Sequence, residues 1–70
     1  MHSRLAQQLA DTIRETDTYL ELIELTLEDG RATHAREMML DFINTCGTLT
    51  DSQRSWANEL RRHLKIIIRL

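Results

Sequence analysis

The sequence predicts an all-α protein: a small antiparallel bundle of about three helices, near residues 3–28, 32–46 and 51–68. Three observations carry this. Apolar residues recur at alternating steps of three and four along much of the chain. Proline is absent and there are only two glycines, Gly30 and Gly47, so long helices have few places to break. A helix-start signature, Thr50-Asp51-Ser52-Gln53, stands shortly after the second glycine. At 70 residues the chain is a single helical domain, 1–70.

The first helix is the longest. Ser3 suits its N-cap, because the hydroxyl can accept a free backbone N–H. Gly30 suits its end, because glycine accepts the left-handed conformation that closes helices. Between them Ala6, Leu9, Ile13, Thr16, Leu20, Ile23 and Leu27 form a heptad seam with one polar flaw, Thr16, flanked by Leu5, Thr12 and Tyr19. Tyr19–Leu27 also partly alternates as a strand would. The seam runs through it in phase and no second strand exists to pair with it, so helix is the stronger reading.

The second helix starts near Ala32 or Thr33, with Thr33 as its cap, and carries the stripe Ala35, Met39, Phe42, Cys46 and then Leu49, widened by Met38 and Ile43. Gly47 is expected to close it. The third helix opens on the capping box, in which Thr50 and Gln53 cap each other, with Asp51 at the positive end of the dipole. Its stripe is Trp56, Ala57, Leu60, Leu64 and Ile67. The turns between helices are short, which makes consecutive helices antiparallel neighbours.

A chain this small has a marginal core and gains from a disulfide, a metal or a partner. Cys46 is the sole cysteine, so an internal disulfide is excluded and a reducing, cytoplasmic location is expected. The potential ligands His2, His34, His63 and Cys46 lack paired spacing, and no metal or other cofactor is expected. Association remains. Leu22 and Leu25 fall outside the seam of the first helix, Ile66 and Ile68 flank the stripe of the third, and Leu70 follows. This apolar surplus, with Tyr19, is expected to serve self-association, most simply as a twofold dimer, or partner binding.

Charge is unevenly spread. Residues 1–30 hold two arginines against seven carboxylates, a net −5, while residues 50–70 hold five basic residues against two acidic ones, a net +3. Glu21, Glu24 and Glu28 give the first helix an acidic face. Arg54, Arg61, Arg62, Lys65 and Arg69 fall within roughly 100° on the wheel of the third helix and give it a basic one. The basic face suits solvent, the acidic first helix, an acidic protein surface or, as an alternative, nucleic-acid phosphate. The acidic balance, with a pI near 5.8, and the apolar setting of Trp56 weigh against nucleic acid.

Catalysis is not expected. No metalloprotease, nucleophile-elbow, phosphate-loop or dinucleotide motif is present. Cys46 at a helix C-terminus favours an inert core thiol over a thiolate. Glu37 and Asp41, one turn apart, read as exposed, and His34 and His63 as surface or packing residues. The start of the chain lacks the apolar run of a signal peptide, and Ile66-Ile67-Ile68 is far short of the roughly 20 residues that span a bilayer. The expectation is therefore a non-enzymatic interaction protein acting as a homodimer on another protein. Such a protein would be an inhibitor, adaptor or chaperone-type regulator; small acidic helical chains of this type are common among bacterial and phage regulators, inhibitors and secretion chaperones, an analogy of class only. Docking of the apolar C-terminus in a larger hetero-complex is a further alternative.

Overall fold

The structure is a computed structural model that describes residues 4–68 and Leu70, with the side chain of Leu9 outside that description. Ser3, expected as the first N-cap, and Arg69 therefore lie outside the described residues. Three helices are present among them: α1 (Arg4–Glu28), α2 (Ala32–Thr45) and α3 (Asp51–His63). No described residue is in a strand, so Tyr19–Leu27 is helix, as its seam requires. Among the described residues no helix is long and apolar enough to cross a membrane.

α1 stops where its sequence says it should. Gly30 takes the left-handed conformation, with φ +80°. Its N–H donates to the Leu27 carbonyl at 3.1 Å, and the Arg31 N–H reaches back to Thr26 at 3.1 Å. This is a Schellman closure, which satisfies carbonyls the helix leaves open.

The ends of α2 differ from expectation. Its N-cap is Arg31, with no side-chain cap bond, and Thr33 lies inside the helix. Arg31 is already committed to closing α1, so the chain enters α2 directly and no Ser, Thr or Asp occupies the capping position. The helix stops at Thr45, with Cys46 extended at φ −66° and ψ 140°. Gly47 is not left-handed and closes nothing.

α3 begins as predicted. Thr50 Oγ1 accepts from the Gln53 N–H at 3.1 Å, and Gln53 Oε1 accepts from the Thr50 N–H at 3.0 Å. Its end is a correction: the helix finishes at His63, short of residue 68. Lys65 adopts φ +58°, its N–H donates to Arg62, and the Ile66 N–H reaches Arg61 at 2.9 Å. This second Schellman closure is made without glycine. It turns Ile66 inward onto the same apolar cluster as Leu60, the hydrophobic contact that accompanies such closures. Arg36 of α2 completes it, with Nη1 donating to the Leu64 carbonyl at 2.8 Å. A cation at the carbonyl end of α3 also suits its dipole.

The last residues return along α3. Arg61 Nη1 donates to the Ile66 carbonyl at 3.1 Å, and Asn58 Oδ1 accepts from both Arg61 Nε and the Leu70 N–H. The core is Leu20, Ile23, Ala35, Met39, Phe42, Ala57, Leu60, Leu64 and Ile66, with Cys46, Trp56 and Leu70 packed against it.

The two left-handed positions give opposite predictions. No atom lies within 4 Å of a Cβ added at Gly30, so Gly30→Ala carries only the backbone penalty, about 1–2 kcal/mol of lost stability. Lys65→Gly removes that penalty and is expected to stabilise by about 0.5–1 kcal/mol. Thermal unfolding of both variants checks the pair. A Lys65→Gly melting temperature below the parent's would contradict the assignment of strain to Lys65.

Candidate interaction surface

The interaction surface grows out of a mismatch in length. α1 has 25 residues, a length of about 37 Å, against about 21 Å for the 14 residues of α2 and about 20 Å for the 13 of α3. The chain accordingly extends 45 Å in one direction and 23 and 18 Å in the others. The covered part of α1 begins where Gln53 is anchored. Its Nε2 donates to the Ile13 carbonyl at 3.1 Å and to Asp17 Oδ1 at 2.9 Å, so the start of α3 sits against the middle of α1. Above that point Leu20 and Ile23 are fully buried. Below it every described side chain from Arg4 to Thr12 is exposed, and Ile13 and Thr16 are half-buried. Of the described seam side chains, Leu20 and Ile23 are used by the core, Ile13 and Thr16 are at its edge, and Ala6 is exposed.

The outer face of α1 carries Leu22 and Leu25, 50% and 53% exposed, as the wheel predicts. Glu21 and Glu28 are exposed beside them and Glu24 is half-buried.

Tyr19 is used within the chain. It packs on Phe42 with ring centroids 5.6 Å apart, and its hydroxyl donates to Asp41 Oδ2 at 2.9 Å, with the Met38 carbonyl at 3.2 Å as a second acceptor. Its ring and hydroxyl join α1 to α2. Burial, then the hydrogen bond to Asp41, then the carboxylate's charge push the phenol above its ordinary value. A raised folded value means that the stabilisation is complete below about pH 10 and is lost as pH rises through the folded value. The denaturant midpoint is expected to fall on going from pH 9 to 11.5, and Tyr19→Phe should lack that step.

The C-terminal residues divide. Ile66 is buried, so it is not a free contact residue, and Leu70 is half-buried; both pack on the core. Ile67 and Ile68 are 92% and 54% exposed. Ile67 thus leaves the α3 stripe on which the heptad count placed it, because α3 ends before reaching it.

The basic stripe of the third helix is not assembled as the wheel drew it. Arg54 and Arg62 are exposed on α3. Arg61 is buried, its guanidinium spent on Asn58 and the Ile66 carbonyl. Lys65 lies beyond the helix, and Arg69 lies outside the described residues. A helical wheel assumes that the helix continues, and here it does not.

Two hollows of about 240 Å³ each are present among the described residues. One lies where α1 leaves the bundle, lined by Thr12, Thr16, Tyr19, Phe42 and Cys46 among others. The other is lined by Ala32, Thr33, Arg36, His63, Leu64 and Lys65, so His63 approaches the start of α2 while His34 is not part of that lining. No group of three or more His, Cys, Asp or Glu side chains placed to hold a metal occurs among the described residues. Of the pair Glu37 and Asp41, Asp41 is engaged by Tyr19 and Glu37 is exposed.

The fold and surface define a class: a small all-α chain, with three helices among the described residues, whose longest helix extends beyond its own core. No protein family, curated protein or solved structure matches the chain.

Proposed function

We propose that the chain is a non-enzymatic helical interaction protein of the inhibitor, adaptor or chaperone type. It works in the cytoplasm as a homodimer of antiparallel three-helix units and occupies the surface of another protein. The antiparallel path rests on where the helices touch: Tyr19 meets Met38 and Asp41, Gln53 meets Asp17, and Arg36 meets the end of α3. The functional reading is carried by one observation. Leu5, Leu22, Leu25, Ile67 and Ile68 are each at least half exposed in a 70-residue chain. Single exposed leucines are ordinary, but this many large apolar groups is a cost that association removes.

The partner-binding face is the outer side of α1, where Leu22 and Leu25 supply apolar contact and Glu21, Glu24 and Glu28 favour a basic rim on the partner. Light scattering behind a sizing column is expected to give twice the 8.2 kDa chain mass. Affinity capture with the chain as bait then tests the face. The double substitution Leu22→Glu and Leu25→Glu is expected to lose the proteins that the parent retains while keeping its helix content. Retention of the same proteins by both baits would rule out this face.

A further inference from the structure

We infer that the chain dimerises through the projecting half of α1, which lies antiparallel along the same half of a second copy, centred near residue 11. The inference rests on the homodimer reading above and assigns its interface.

The amount of surface fits a second copy. The accessible surface is 5417 Å², whereas a compact monomer of 8.2 kDa exposes about 4500 Å². The excess of about 900 Å² matches the roughly 800 Å² that each partner gives up in a standard stable interface. The radius of gyration agrees, at 13.1 Å against about 11 Å for a compact chain of this length.

The projecting half of α1 offers the right kind of surface. The seam positions ahead of the core, exposed Ala6 and half-buried Ile13, continue the line of Leu20 and Ile23, which the chain's own core already uses. The seam's polar members need no water. Thr12 and Thr16 turn their hydroxyls back to the carbonyls of Gln8 and Thr12, each at 2.9 Å, so burying them leaves no donor unpaired.

Charge fixes which half pairs and in which direction. Residues 4–14 carry Arg4, Arg14 and Asp11, a net +1. Residues 15–29 carry Glu15, Asp17, Glu21, Glu24, Glu28 and Asp29 and no base, a net −6. The first half sets one carboxylate of each copy, Asp11, level with its counterpart and on the side of the helix away from the seam, whereas the second half would set six carboxylates against six. An antiparallel pair sends the two acidic halves to opposite ends, whereas a parallel pair aligns them. Centring the pair near residue 11 places Ala6 against the partner's Thr16 and brings the partner's Leu5 to the hollow lined by Thr12, Thr16 and Phe42.

The test uses the full chain and two double variants, each followed by light scattering and circular dichroism. Ala6→Glu with Ala10→Glu alters exposed seam and flank positions and is expected to halve the mass with helix content unchanged. Leu22→Glu with Leu25→Glu is expected to leave the dimer intact. Spin labels on the dimer then read its direction, with Cys46→Ser as background. Labels at position 8 are expected to lie about 9 Å apart along the helix axis and labels at position 25 about 42 Å apart. A dimer that survives the alanine substitutions, or equal separations at the two positions, overturns this interface and leaves the homodimer standing. A monomer at every concentration overturns both.

Discussion

Replacing Gln53 with glutamate is expected to destabilise the chain by about 3–5 kcal/mol at pH 7, the cost of leaving a buried charge uncompensated. Gln53 is 3% exposed and uses every polar atom of its side chain. Oε1 closes the capping box, and the two Nε2 hydrogens go to the Ile13 carbonyl and Asp17. In Gln53→Glu an oxygen stands where Nε2 donated, against two acceptors, one of them a carboxylate at 2.9 Å. Burial and like charge both push the introduced carboxyl above its usual value of about 4.3. The sign follows from linkage. A raised folded value favours the folded state only while the group is protonated, so the deficit is smallest below about pH 4.3. It grows as pH rises towards the folded value and is constant above it. Urea midpoints of parent and variant from pH 3.5 to 7 test this. Coincident midpoints at pH 7 would mean that Gln53 does not tie α3 to α1.

Leu20→Ala is expected to cost about 3–4 kcal/mol, within the range for removing a fully buried leucine. Leu20 and Ile23 are both 0% exposed, and with Met39 they are the largest fully buried side chains. At roughly 0.05–0.15 kcal/mol per residue, the total stability of a 70-residue chain is about 3.5–10 kcal/mol. Leu20→Ala therefore removes a third or more of it. Ala6→Val, on the same heptad seam but exposed, is the matched control and is expected to shift stability by less than about 0.5 kcal/mol in a monomer. Denaturant unfolding separates the two. Equal costs at positions 6 and 20 would mean that the seam is buried along its whole length.

Much of the fold was legible in the residues because local chemistry decides it. The step of three and four, the glycine at 30 and the reciprocal cap of Thr50 and Gln53 act within a few residues of themselves, so the sequence alone placed α1 and both of those boundaries. Gly47 shows the limit. A glycine permits a left-handed closure but does not require one, and α2 ended two residues earlier without it. The end of α3 was misplaced for a related reason. Leu64 to Leu70 is helix-compatible at every position, and the reversal at a lysine is justified only by distant partners, namely Arg36 at the Leu64 carbonyl and the core cluster that receives Ile66.

The candidate surface divides along the same line. That the chain is all-helical, that its first helix is its longest and that Leu22 and Leu25 lie off the seam can all be read from the residues in order, because periodicity and length belong to each segment separately. Which apolar and charged side chains stay available depends instead on how the segments pack. Ile66 went into the core, Ile67 went out to solvent, Tyr19 bridged to Asp41, and Arg61 left the basic stripe to hold the returning C-terminus. Each of these outcomes depends on contacts between segments far apart in the chain, and a wheel drawn on one helix contains no such contacts.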